Sequence, residues 1–459
     1  MSTNDNGELH LFQYQKETVL KVEEFQGRAL LALEMGLGKT LCALAYVLKN
    51  KKTPCLVVSP ANVKYNWEHE IRKFFRLRSR VLEGQSPPVW TEGFLKPEAF
   101  VIINYDILKH WIPYLENLRF QTIVFDECQY LSNPRAQRTK AAIQLAKKVP
   151  HCLALSGTPL TNRPSELFPI LNILRPDEFP YFRRFATLYC APKLTRWGWD
   201  YRGASNLKGL HNRLKSTCMV RYLKQDVLPQ LPDKVRRVIP LEMENPEEYK
   251  QAQNNFIAWL KENAPGRITS SFRALTLART GELVRIAARL KLKGVVDWCN
   301  RFLEETEEKL IVFAVHRKCI ETLKRRINAE SVVVDGSVTG RLRHDTVKEF
   351  QRNPNIRVFI GNIHAAGIGI NLVQSSTVVF AELWWRPGDH TQAEDRIHRI
   401  GQEQQPWIYY FVAAGSIEET LCRIIQKKQE VIRNTLDGRR AVDKMNVHDQ
   451  LLLELKRSR

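Results

Sequence analysis

The sequence holds no C-x-x-C pair and no low-complexity tract. Its nine cysteines are scattered: Cys42, Cys55, Cys128, Cys152, Cys190, Cys218, Cys299, Cys319 and Cys422. An odd number without metal spacing excludes a zinc ribbon and a disulfide framework, and reads as reduced thiols in a reducing compartment. Long hydrophobic runs are also missing. The longest uncharged stretch, Val358 to Ala381, contains Asn362, His364, Asn371, Gln374, Ser375, Ser376 and glycines that hydrocarbon does not tolerate. Met1 to Glu8 is polar and acidic, without the apolar centre of a secretory signal. The expectation is a soluble intracellular protein with no membrane partner. Negative charge is the last shortage: 49 Asp and Glu stand against 70 Lys and Arg, a formal charge of +21. Such a surplus fits a polyanionic partner as well as simple solubility, and by itself leaves DNA, RNA and an anionic membrane open.

What is present is a globular composition. Apolar residues make up 44% of 459, enough for sizeable cores and too many for a disordered chain. At roughly 150 residues per domain, two large domains or three small ones are expected. Short apolar, β-rich runs occur at 29–32, 55–58, 100–103, 122–125 and 152–155, most of them followed by helix-period sequence. The pattern restarts at 309–315, 332–335, 357–360, 377–382 and 407–412. Strand and helix in alternation predict parallel sheets with helical crossovers, whose ligands sit at the carboxyl ends of the strands. The chain therefore reads as an α/β protein of two lobes, divided as 1–230 and 231–459. From Pro164 to about Leu290 aromatic and basic residues are interrupted by prolines, which predicts helical insertions and a linker. A last helix begins at Ser416, with Ser416 and Glu419 as a capping box and Ile417, Leu421, Ile424, Ile425 and Ile432 as its apolar stripe. Gly438 lies just beyond its expected end.

Met35-Gly36-Leu37-Gly38-Lys39-Thr40 follows a predicted strand and opens a predicted helix. Gly36 and Gly38 let the backbone wrap a phosphate, whose charge meets the free N–H groups of the helix start. Lys39 then reaches the β/γ-phosphates and the Thr40 hydroxyl a Mg²⁺ ion. Leu33 stands where the strict G-x-x-x-x-G-K-T pattern has its first glycine. Asp126 and Glu127 close the predicted strand at 122–125. Two adjacent carboxylates at a strand tip suit a nucleoside triphosphatase, Asp126 holding Mg²⁺ and Glu127 deprotonating the attacking water.

In order, the chain carries MGLGKT (35–40), DECQ (126–129), SGTP (156–159), VDGS (334–337), GIGINL (367–372) and QAEDRIHRIGQ (392–402). The set resembles the Swi/Snf branch of superfamily 2 helicase-like ATPases, and the last signature most resembles its annealing-helicase and fork-remodelling subgroup. The likeness spans roughly residues 10 to 435. It implies two RecA-like parallel-sheet lobes in tandem with helical insertions between them. It also implies ATP and Mg²⁺ as cofactors, double-stranded or forked DNA as partner, and ATP-driven translocation on duplex, with fork remodelling or strand annealing as finer expectations. The competing expectations are an ATP-gated nucleic-acid clamp and a motor subunit of a remodelling, restriction or defence complex.

The resemblance extends to single residues. Gln15 matches an adenine-reading glutamine, although alone it also reads as a polar residue on an amphipathic helix. Arg396 and Arg399 match arginine fingers, and Gln392 a residue linking their helix to nucleotide and water. Ser156, Gly157 and Thr158 match the motif that couples hydrolysis to lobe movement. Gln129 replaces the usual His or Asp at the end of the DExx box and puts that coupling in question. Implied DNA contacts are Pro60, Asn62, Lys64, Asn66, Trp67, Asn104 and Tyr105 in the first lobe. In the second they are His316, Arg317, Asn362 and His364. This set is expected across the sheet ends opposite the nucleotide, gripping phosphates without a base code. The basic and aromatic stretch Arg183–Arg202 reads either as a second nucleic-acid contact or, by preference, as core aromatics with solvated arginines.

Overall fold

The computed structural model describes residues 10–85, 98–157, 159, 163–196, 198–263, 270–366 and 369–436. Thr158, Trp197, Gly367, Ile368 and Gly438 therefore lie outside the described residues. The chain divides into two compact units, most of the first ending at Leu231 and most of the second beginning at Pro232.

In the first unit the strands are β1 (Arg28–Leu31), β2 (Cys55–Ser59), β3 (Ser79–Val81), β4 (Phe100–Asn104), β5 (Thr122–Asp126) and β6 (His151–Leu155). A hairpin of β7 (Lys193–Thr195) and β8 (Gly198–Asp200) follows, and then β9 (Met219–Val220). Seven of them form one sheet in the order β3-β4-β2-β5-β6-β1-β9, and every pairing in it is parallel. β2, β4 and β5 are buried along their whole length, as strands covered by helices on both faces must be. Parallel pairing sends every strand's carboxyl end to one edge. There β5, β6 and β1 lie side by side, so Asp126, Ser156 and the loop after Leu31 become neighbours although far apart in sequence.

The second unit holds β10 (Val235–Leu241), β11 (Leu310–Ala314), β12 (Ser331–Val334), β13 (Val358–Asn362), β14 (Thr377–Phe380) and β15 (Trp407–Ala413). Its sheet runs β10-β15-β14-β11-β13-β12, again wholly parallel. All ten sequence-predicted strands are found. β3, the β7–β8 hairpin, β9 and β10 are not anticipated. β10 corrects the reading of 164–290 as helices and linker: its seven residues pair throughout with Trp407–Ala413. As an edge strand it carries charge and Pro240 instead of a continuous apolar run, so period alone does not reveal it.

The helix Ile417–Leu436 buries Ile417, Leu421, Ile424 and Ile425 against this sheet; the Ile432 side chain lies outside the described residues. Ser416 Oγ accepts from the Glu418 N–H at 3.2 Å, and Glu419 reaches back to the Gly415 N–H at 3.0 Å, one residue earlier than a strict capping box. All nine cysteines are free and buried. Among the described residues no helix is long and apolar enough to cross a membrane, and no group of side chains is spaced to hold a metal on its own.

Candidate functional site

The loop after β1 ends in the helix Lys39–Lys49, with Gly38 as its left-handed first residue (φ 76°) and Gly36 at φ 86°. Both glycines are needed at these angles, since a Cβ there would be strained. Leu33 is absent from the positive-φ positions and is fully buried. Its place in the pattern needs no glycine because its backbone is ordinary and its side chain fills core. Lys39 Nζ donates to the Leu33 carbonyl at 3.0 Å, which holds the ammonium inside the loop it is expected to serve. Gly157, next strand over, lies against the same loop. A Cβ on it would stand 2.6 Å from Met35 Cγ and 3.4 Å from Lys39 Nζ. Arg221, which sequence reasoning missed, ties the two loops together by donating to Ala32 O at 2.8 Å and Gly157 O at 3.3 Å.

The carboxylates sit at the tip of β5. Asp126 is buried, and burial together with the Glu127 charge pushes its carboxyl up to about 7, against the pull of Trp67 and Lys39. Its two oxygens accept from Trp67 Nε1 at 2.8 Å and the Glu127 N–H at 2.9 Å, while Tyr105 donates to its carbonyl at 2.8 Å. A buried acid beside a second acid offers carboxylate oxygens of the kind a divalent cation stabilises, so Asp126 fits the chemistry of a Mg²⁺ ligand. Glu127 adopts φ 49°, ψ 53°, a left-handed conformation that costs a non-glycine residue energy.

Gln129 bridges the two expected halves of the machinery. Its Nε2 donates to Glu127 Oε2 at 2.7 Å, and its Oε1 accepts from Ser156 Oγ at 2.8 Å. An amide has one donor end and one acceptor end, so it can join a carboxylate to a hydroxyl directly. With glutamine in place of His or Asp, a continuous hydrogen-bonded line runs from the Glu127 carboxylate to the SGTP loop.

Gln15, the adenine reader that the resemblance implies, lies directly against the Lys39 loop. It is fully buried, its Nε2 donating to Leu37 O at 3.2 Å and to the Tyr14 hydroxyl at 3.3 Å, while its Oε1 accepts from the Phe12 N–H at 3.0 Å. With both donors and an acceptor engaged, it braces the phosphate loop from beneath.

In the second unit QAEDRIHRIGQ spans the end of the helix Pro387–Glu394 and the turn after it. Glu394 is buried and receives Lys234 Nζ at 3.1 Å, Arg236 Nη2 at 2.6 Å and the Tyr410 hydroxyl at 2.7 Å; Lys234 also meets Asp395 at 2.7 Å. Burial opposes its charge, but the two cations prevail and hold the carboxyl near 2. Gln402 Nε2 donates to the Ser375 carbonyl at 2.9 Å, and His398 pairs with Pro232 O at 3.0 Å. Lys234 and Arg236, unnoticed in the sequence, are thus the anchors of the signature. A strand reading K-V-R-R with an acidic pair elsewhere was the available signal. Arg396 is turned inward, donating to Gln392 O at 3.0 Å and Ile370 O at 3.1 Å, and Gln392 is buried beside it. Arg399 is half-buried.

A family model for an SNF2-related domain matches residues 14–280, and one for a helicase conserved C-terminal domain matches 292–401. The chain belongs to the SNF2-related family. It is 32% identical over 456 residues to the human DNA annealing helicase and endonuclease ZRANB3, covering 94% of this chain and 41% of that protein. Against the Xenopus tropicalis SWI/SNF-related matrix-associated actin-dependent regulator of chromatin subfamily A-like protein 1, identity is 34% over 431 residues, with 92% and 44% covered. The Caenorhabditis elegans homologue of that regulator is 33% identical over 458 residues, with 95% and 64% covered. The chain spans about two fifths of the length of the first two.

Within this SNF2-related chain the residues marked for DNA separate into two groups. Trp67 and Tyr105 are buried on Asp126, and Lys64 is buried with Nζ donating to Leu82 O at 2.8 Å. Desolvation lowers the Lys64 pKa, and its ammonium is committed to that carbonyl. The polar atoms of these three side chains are engaged inside their own lobe, where they support Asp126 and the segment around Leu82. Pro60 and Asn104 are buried too, whereas Asn62 and Asn66 are half-buried, Asn66 bonded to Glu70 at 3.0 Å. In the second lobe His316 Nδ1 meets Glu382 at 2.7 Å, a hydrogen bond that raises the imidazole pKa. Asn362 donates to Val315 O at 2.6 Å, His364 lies 3.3 Å from Asp389, and exposed Arg317 pairs with Glu321 at 2.9 Å. Since every pairing in the seven-stranded sheet is parallel, β2 and β4 end on the same edge as β5 and β1. The first lobe's marked segments therefore lie beside the phosphate loop along one sheet edge, not across the opposite end.

Proposed function

We propose that this SNF2-related chain is a DNA-dependent ATPase that couples hydrolysis to movement on double-stranded DNA, with branched or forked duplex as its working substrate. The named activity of ZRANB3, a DNA annealing helicase, supports the forked substrate. The observation that carries the reading is the Glu127–Gln129–Ser156 line beside the Lys39 loop. It unites a water-activating carboxylate, a phosphate cradle and a coupling loop in one lobe.

In this reading Lys39 exchanges the Leu33 carbonyl for the β/γ-phosphates of ATP, and Thr40 and Asp126 would hold Mg²⁺, which would supply neutralisation of developing charge. Water oxygen bonds to the γ-phosphorus as the β–γ bridging P–O bond breaks, and Glu127 accepts the water's proton. Proton uptake removes the charge that Gln129 Nε2 faces, weakens that bond and alters the grip of Gln129 on Ser156. Asp126 is linked by Trp67 and Tyr105 to the segments after β2 and β4, so a shift at the carboxylate reaches the segments marked for DNA. Arg396 and Arg399 are the proposed cations for the transferred phosphate, as the resemblance implies, their fork of N–H donors suiting its developing charge.

The test is steady-state ATP hydrolysis without polymer and with duplex DNA, forked DNA, single-stranded DNA and RNA, using Glu127→Gln as control. Stimulation by duplex or forked DNA, lost in the variant, is expected. Greater stimulation by RNA overturns the choice of track, and ATP binding without turnover on any polymer overturns the motor in favour of a gated clamp.

A further inference from the structure

The stretch from Tyr181 to Lys208 contains Arg183, Arg184, Lys193, Arg196, Arg202 and Lys208 against Asp200 alone among acids. Asp200 is bonded to Arg202 at 2.8 Å, so the one negative charge is neutralised locally. Its hairpin pairs Lys193 with Asp200, Leu194 with Trp199 and Thr195 with Gly198. The Leu194–Trp199 pair faces water: Leu194 is 71% and Trp199 52% exposed, and neighbouring Tyr181 is 71% exposed. The preferred reading of this stretch as core aromatics is corrected for these residues, while Phe185 and Tyr189 do lie in the core.

Among the described residues the hairpin contributes no buried apolar side chain, yet its base is firmly held. Ser205 Oγ donates to Leu188 O at 3.0 Å and accepts from the Ala191 N–H at 3.1 Å, and a Cβ on Gly203 would stand 2.8 Å from Cys190 O. The rings of Phe182 and Tyr201 meet edge-on at 5.2 Å, joining the helix Phe182–Tyr189 to the residue just after the hairpin. Two-stranded ribbons are marginal in water, and exposed rings on one gain nothing for folding. Rings among cations on a fixed support match what single-stranded nucleic acid requires: flat faces for bases and positive charge for the backbone. Duplex offers no base faces, since they are stacked inside.

We propose that the hairpin and the helix Phe182–Tyr189 bind unpaired nucleotides at a fork, Trp199 stacking on a base and Arg183, Arg184 and Lys193 holding the flanking phosphates. This rests on the proposed reading of DNA as partner and adds a contact with its unpaired arm. It would let the protein distinguish a branched end from plain duplex.

Fluorescence anisotropy with two labelled probes tests it: a fork with single-stranded arms and a blunt duplex of equal length. Trp199→Ala should weaken fork binding about 10-fold and leave blunt duplex binding and duplex-stimulated ATPase unchanged, while Trp199→Phe retains most of the fork affinity. Melting curves of the variants establish that they fold. As an independent readout, bromouracil placed in the arm should crosslink within residues 181–202. Unchanged fork affinity, an equal loss on both probes, or crosslinks confined to other segments each overturns the proposal. Failure of the motor reading shows separately, as absence of DNA-stimulated turnover in the unmodified protein.

Discussion

At the scale of single residues, the first-lobe site is a set of short polar links anchored on one carboxylate. Asp126 carries more neighbours than any metal ligand needs, and Trp67 and Tyr105 make it a mechanical junction as well as a charge. Gln129 is the most exacting member, because its amide must present the donor to Glu127 and the acceptor to Ser156. Gln129→Leu keeps the side-chain volume and deletes both bonds. DNA-stimulated kcat should fall about 10-fold with KM for ATP changed less than about two-fold, because the line acts after ATP is bound. Steady-state kinetics at saturating duplex measure it; an unchanged kcat removes Gln129 from the coupling route.

At the scale of elements, β10 and the signature turn form one electrostatic unit. Glu394 is ionised in the interior because Lys234, just before β10, and Arg236, on it, both reach its carboxylate, and losing either cation leaves that buried charge poorly compensated. The same helix carries His390, fully buried, with Nε2 paired to Trp384 at 3.0 Å. Burial pushes its pKa down to about 4 from an ordinary 6.5. The unfolded chain therefore takes up a proton between pH 6.5 and 4 that the folded lobe refuses. The stability due to neutral His390 is complete above pH 6.5 and is lost as pH falls toward 4, up to about 3 kcal/mol. Glu394 loses its share only lower, between its ordinary carboxylate value and about 2. Thermal melts from pH 7 to 5 should show the second lobe weakening first, and His390→Gln should flatten that limb. A variant with the same acid slope as the parent chain would show that another group governs it.

At the scale of the whole molecule, the +21 charge provides attraction to a polyanion without locating a track. If phosphates are the main contacts, counterion release makes binding fall steeply with salt. The duplex concentration giving half-maximal ATPase stimulation should rise roughly 100-fold between 50 and 200 mM salt. A flat response would mean that the surplus charge is solvated surface and that grip comes from elsewhere.

Much of this protein is legible in its sequence. Strand periodicity, the phosphate loop and the acidic pair at a strand tip are local patterns, set by a few adjacent residues whose physics does not depend on the rest of the fold. Parallel α/β architecture and the identities of Lys39, Thr40, Asp126 and Glu127 follow from them. What only the tertiary structure decided is which polar side chains point inward. Lys64, Trp67, Tyr105 and Gln15 occupy positions suggesting ligand contact, yet each meets a buried partner contributed by a segment distant in sequence or by the loop above it. β10 was hidden for the same reason. An edge strand with charges, paired to residues about 170 positions later, has no local signature. Exposure of Trp199 was likewise undecidable, since a Trp among arginines reads alike in a core and on a surface until the neighbouring elements are placed.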